Sequence, residues 1–118
     1  MLYHILKSKI HRARVTRSDV DYEGSLGIDM DLLDAAGIFP YERILVVNMN
    51  NGARLETYAI PCERGSKQFI LNGAAARRGA PGDVITIMSF AMLNDDELKQ
   101  HQPRVIILDE NNNIIKQR

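Results

Sequence analysis

Apolar residues along this chain recur mostly with the two-residue period of strands, not the 3.6-residue period of helices. Residues 2–16 are rich in β-branched and long side chains with loose alternation. Residues 44–47, Ile-Leu-Val-Val, make a short apolar run that leads to Asn50-Asn51-Gly52, a strong turn signal. Residues 53–60 then read as the returning strand of a hairpin. Another strand is expected over 68–71, ended by Asn72-Gly73. The longest apolar strand spans 83–93 after the turn Ala80-Pro81-Gly82-Asp83, and 104–108 closes the set before the polar turn 109–113. Two short helices interrupt this pattern. Residues 29–37 have an acidic start, apolar residues at helical spacing and a terminal Gly37. Residues 94–98 offer Asn94 as N-cap and an acidic first turn, where the helix dipole favours negative charge. Many short strands with Gly/Asn/Pro turns predict a mainly β chain folded as a small closed β-barrel.

Composition narrows the partners. The 118 residues fit a single domain, 1–118. A domain of this size buries roughly 65% of its unfolded surface, so it has little stability to spare and association of copies would help. Fifteen Lys and Arg balance fifteen Asp and Glu. Zero net charge argues against nucleic acid or a membrane surface as partner, with Lys7, Lys9, Arg12, Arg14 and Arg17 as a local basic exception. The single cysteine, Cys62, excludes an intrachain disulfide, fits a reducing compartment and reads as an inert thiol. No apolar run approaches the ~20 residues of a membrane span. Without a signal-peptide layout at its start, the chain is expected to be cytoplasmic. No metal is expected, and Arg77-Arg78 reads as a surface pair.

The chemistry concentrates at Tyr22-Glu23-Gly24-Ser25-Leu26. A serine hydroxyl can attack the carbonyl of the preceding residue and replace the amide by an ester. This needs an unusual backbone at the bond, and glycine supplies conformations that other residues avoid. Loss of the serine α-proton then breaks the chain. The new N-terminus becomes dehydroalanine, which hydrolyses to a pyruvoyl group. Taken alone, Gly-Ser is an ordinary turn dipeptide. Its surroundings change that reading.

Over nearly its full length the chain resembles the pyruvoyl-dependent aspartate decarboxylases. The resemblance is carried by Lys9-Ile10-His11-Arg12, Tyr22-Glu23-Gly24-Ser25, Asn51-Gly52-Ala53-Arg54, Thr57-Tyr58-Ala59-Ile60, Glu63-Arg64-Gly65-Ser66 and Asn72-Gly73-Ala74-Ala75-Ala76, in family order and spacing. It implies a six-stranded double-psi β-barrel. It also implies self-cleavage between Gly24 and Ser25 into a β chain, 1–24, and an α chain, 25–118, and a homotetramer with active sites between subunits. The implied reaction converts L-aspartate to β-alanine and carbon dioxide for pantothenate and coenzyme A biosynthesis. Its cofactor is the covalent pyruvoyl group derived from Ser25, which takes the substrate amine as a Schiff base. Unaided cleavage and cleavage helped by a maturation factor both fit the sequence.

Roles follow from the resemblance, each beside a plainer reading. Lys9 and His11, two apart, project from one face of a strand; the family places the lysine on a substrate carboxylate and the histidine near the cleavage region. Otherwise they are an edge-strand lysine and a surface histidine. Arg54 can grip a carboxylate with two parallel hydrogen bonds and matches the anchor of the aspartate side chain. Thr57 matches the promoter of the acyl shift, and Tyr58 the proton donor. A regular strand would set Arg54 and Tyr58 on one face and Thr57 on the other, unless a bulge reconciles them. Tyr22, Asn72, Gly73, Ala74 and Ala75 match residues lining the substrate site, whereas Ala76 reads as part of a turn. Thr86 stands where many relatives carry an aliphatic residue. Two other readings remain: an unprocessed, non-catalytic barrel that binds a ligand or partner, and a nucleic-acid binder with salt-dependent affinity.

Overall fold

A computed structural model describes residues 1–118. It contains nine strands: β1 Tyr3–Arg14, β2 Arg17–Asp19, β3 Leu26–Asp29, β4 Arg43–Asn48, β5 Arg54–Cys62, β6 Phe69–Asn72, β7 Val84–Leu93, β8 Arg104–Leu108 and β9 Ile114–Gln117. Helix α1 is Met30–Ala36, α2 is Asp95–Leu98, and a 3₁₀ segment runs over Gly73–Arg78. No helix is long and apolar enough to cross a membrane.

The strands hydrogen-bond in the order β2-β6-β3-β5-β4-β7-β1-β8-β9. Only Val15 and Thr16 separate β1 from β2, and their N–H groups donate to Asp83 and Phe69 carbonyls, each at 2.9 Å. One continuous strand therefore passes from β7 to β6 and closes a ring of β1/β2, β6, β3, β5, β4 and β7. This is the expected six-stranded barrel, consistent with a double-psi fold. The strand count differs because the first strand bends at residues 15–16 and because β8 and β9 form an extra hairpin beside β1. The ring encloses a core that includes Ile10, Leu26, Ile28, Ile44, Phe69 and Ile87, all buried.

The caps follow the sequence. The Asp29 carboxylate accepts from Asp31 N at 2.8 Å to start α1, and Gly37 ends it in the left-handed region at φ 72°. That buried carboxylate also accepts from Gly65 N and Lys67 N, which fastens the 63–67 loop to the start of the helix. Asn94 and Glu97 form a capping box at α2.

Strands β2, β3 and β9 were not expected. All four residues of β3 are buried, so it shows no alternation to read. Asn72, expected at a turn, is instead the buried last residue of β6, and the turn begins at Gly73.

Candidate active site

Ser25 sits at the mouth of the barrel, one residue before β3. Leu26 pairs with Ala59 of β5 on one side and Leu71 of β6 on the other. Extending both ladders by one residue sets Ser25 beside Tyr58 and Asn72. Only 2% of Ser25 is exposed, although it lies just past a surface loop. Its carbonyl accepts from Asn72 N at 3.1 Å, and its Oγ accepts from Asn72 Nδ2 at 3.4 Å. Both ends of Asn72 are therefore committed to this serine.

The Gly24–Ser25 peptide bond lies between two residues with left-handed backbones, Gly24 at φ 69° and Ser25 at φ 84°. Gly24 tolerates this freely. Ser25 does not: such a conformation costs on the order of 1–3 kcal/mol and persists only where its surroundings enforce it. Enforcement comes from both flanks. Before the bond, Gly24 N donates to the Tyr22 carbonyl at 2.8 Å, a three-residue turn. Beside it, Gly73 presses on the Gly24 backbone: a Cβ at Gly73 would lie 2.6 Å from Gly24 N and 2.8 Å from Gly24 Cα.

Two cavities flank Ser25. One, of about 680 Å³, is lined by Tyr22, Glu23, Tyr41 and Tyr58. The other, of about 240 Å³, is lined by Gly24, Thr57, Asn72, Ala74, Ala75 and Arg78. The β4–β5 ladder runs from Arg43↔Tyr58 to Val47↔Arg54 without a register shift. No bulge reconciles Thr57 with Tyr58, and none is needed. The two point to opposite faces of β5, and each lines one of the two cavities that Ser25 borders.

The expected cations lie elsewhere. Arg54 pairs with Val47, Val47 with Thr86, and Thr86 Oγ1 lies 3.3 Å from His11 Nδ1. These residues form a row across the outer face of the sheet, with Lys9 on the next row, opposite Met88. Arg54 is four residues from Tyr58, roughly 13 Å along the strand. Within one chain, Lys9, His11 and Arg54 therefore form a second cluster, and neither cavity beside Ser25 includes them. Thr86 is 4% exposed, and its hydroxyl sits between His11 Nδ1 and Met49 Sδ. Burial first, then the charges of Lys9, Arg12 and Arg118, hold the His11 pKa below its ordinary value, so the neutral imidazole prevails at pH 7.

Two residues at the cavities were not foreseen. Tyr41 has a left-handed backbone at φ 71° and is tied to β5 by its N–H to the Ala59 carbonyl at 2.7 Å; nothing in Phe-Pro-Tyr-Glu signals this. Arg78 is exposed, as expected with Arg77, and at the end of the 3₁₀ segment it also lines the smaller cavity.

Comparison with known proteins bears on this geometry. A family model described as aspartate decarboxylase matches residues 1–115. A protein of Salinibacter ruber named aspartate 1-decarboxylase is 54% identical over 97% of this chain and 78% of its own length. The protein of that name from Desulfotalea psychrophila is 54% identical over 97% of this chain and 96% of its own. The one from Staphylococcus epidermidis is 54% identical over 98% and 91%.

Proposed function

Because the chain belongs to the aspartate decarboxylase family, we propose that it cuts its own Gly24–Ser25 bond and works through the pyruvoyl group left at position 25. The reaction is the decarboxylation of L-aspartate to β-alanine and carbon dioxide, which feeds pantothenate and coenzyme A synthesis. The observation that carries the proposal is a buried serine whose preceding peptide bond is held between two left-handed residues.

Ser25 Oγ attacks the Gly24 carbonyl carbon, and the peptide C–N bond breaks to leave an ester. Asn72 Nδ2 donates to that oxygen, so the hydroxyl's own proton is free to leave toward a base. Thr57, in the cavity that Gly24 also lines, is assigned to the Gly24 carbonyl. Removal of the Ser25 α-proton then breaks the Cβ–O bond. The products are a carboxylate at Gly24 and dehydroalanine at 25, which hydrolyses with release of ammonia. The residues present fit the group: a buried serine, no side chain at Gly24, and small residues Ala74 and Ala75 beside it. A pyruvoyl carbonyl there supplies an electron sink for the loss of carbon dioxide.

Tyr58, which lines the other cavity beside Ser25, is assigned the return of a proton to the substrate carbon. Tyr58→Phe should still cleave but turn over about 10²–10⁴-fold more slowly, the usual worth of a positioned acid. Full activity in that variant would remove Tyr58 from the role. The two-cluster arrangement supports a site completed between copies, as in a homotetramer: one chain brings Ser25, Thr57, Tyr58 and Asn72, and its neighbour brings Lys9, His11 and Arg54. Arg54→Ala should raise KM for aspartate about 10–100-fold, the worth of a charge-assisted contact, with kcat changing less. Initial rates against aspartate concentration give the result, and an unchanged KM counts against the clamp. Intact-mass measurement tests the whole reading: a 1–24 fragment and a larger one starting with pyruvoyl are expected. A single uncleaved chain with no β-alanine formed from aspartate would overturn it and favour the non-catalytic barrel.

A further inference from the structure

We propose that Arg78 binds a carboxylate in the smaller cavity beside Ser25. This rests on the self-cleaving reading above and adds a residue to that site. Of the two cavities flanking Ser25, Arg78 is the only cationic residue in either lining. Its guanidinium has no carboxylate partner among the ion pairs of the chain. Glu56, which borders the same cavity, is already held by Arg43 Nε at 2.8 Å. The backbone of Arg78 is fixed: its carbonyl accepts from Asn48 Nδ2 at 3.0 Å and from Asn51 Nδ2 at 2.9 Å. An arginine without a carboxylate partner, on an anchored turn that lines a cavity of about 240 Å³, is suited to a planar anion.

Two sources of that anion meet at this cavity. Cleavage turns Gly24, part of its lining, from an amide into a carboxylate. Substrate brings two carboxylates, while the other expected cations lie on the outer face. The recognition chemistry is the same, and Arg78→Gln separates the sources. The Arg78 side chain is exposed and the hydrogen bonds at this residue are made by its backbone, so both Arg78→Gln and Arg78→Lys should fold.

The cleaved enzyme, labelled with ¹³C-glycine, gives two readouts. Gly24 is then the only glycine with a free carboxyl group. If Arg78 holds the cut end, the Gly24 carboxyl titrates below the usual α-carboxyl range of about 3.3–3.7, and Arg78→Gln returns it there with KM unchanged. If it holds substrate, Arg78→Gln raises KM for aspartate about tenfold, Arg78→Lys recovers part of the loss, and the Gly24 titration stays put. Either outcome supports the assignment. A fully cleaved Arg78→Gln enzyme with both KM and the Gly24 titration unchanged overturns it. An uncleaved wild-type chain overturns instead the reading on which it rests.

Discussion

Replacing Ser25 by alanine is expected to leave one uncut chain of 118 residues with no decarboxylase activity. The substitution removes one oxygen. That oxygen is both the nucleophile that opens the Gly24–Ser25 bond and the atom lost when the pyruvoyl group forms. No neighbour can substitute, because position 25 itself becomes the prosthetic group. The structural cost is small by comparison. Alanine keeps the Cβ and meets the same left-handed φ of 84°, so the backbone strain is little changed. The Asn72 amide loses its contact with Oγ, a cost of about 1–3 kcal/mol for a buried donor left unpaired. A folded, uncut, inactive chain is the outcome, read by intact mass and by carbon dioxide release from aspartate. Appreciable turnover by this variant would refute the assignment of Ser25.

Part of the barrel could be read from alternation, because β4, β5 and much of β1 have one buried and one less buried face. β5 is the clearest case, with Arg54, Glu56 and Tyr58 exposed and the residues between them more buried. The ends of α1 were legible for another reason: the acidic start at 29 and the terminal Gly37 are local chemistry. β3 was not, since it is buried on both faces and follows a turn signal. The site was legible as a set of residue types and only in part as an arrangement. The opposite facing of Thr57 and Tyr58 was readable from strand alternation, and β5 pairs with β4 without a register shift. Lys9, His11 and Arg54 match two segments of the same family pattern as Ser25, yet they lie on a different surface from it. That placement depends on strand pairings such as Val47↔Thr86, between residues far apart in the chain. The cavity position of Arg78 depends on a 3₁₀ turn where the sequence suggested only small residues and surface charge.

Gly73→Ala is expected to stop or greatly slow cleavage in a chain that still folds. Glycine is required here twice over. Its φ is 60°, where an alanine costs about 1 kcal/mol. Its missing side chain is also the space that the scissile loop occupies. A Cβ would stand 2.6 Å from Gly24 N, 2.8 Å from Gly24 Cα and 2.8 Å from the Tyr22 carbonyl oxygen. All three are backbone atoms, so no side-chain rotation relieves the clash, and the segment carrying Gly24 must lift away. The attack distance from Ser25 Oγ to the Gly24 carbonyl then changes, and displacements of about 1 Å can cost about 10²-fold in rate. Gly65→Ala separates this steric effect from the conformational one. Gly65 has φ 78°, but a Cβ there meets nothing within 4 Å. Both variants share the φ penalty, Gly73→Ala should lose further stability to denaturant from the backbone clash, and only Gly73→Ala should remain uncut in a time course of intact mass. Cleavage of Gly73→Ala at the wild-type rate would show that the loop reaches its reactive conformation without resting on Gly73. The strain at Ser25 would then have to be enforced by the Tyr22–Gly24 turn and Asn72 alone.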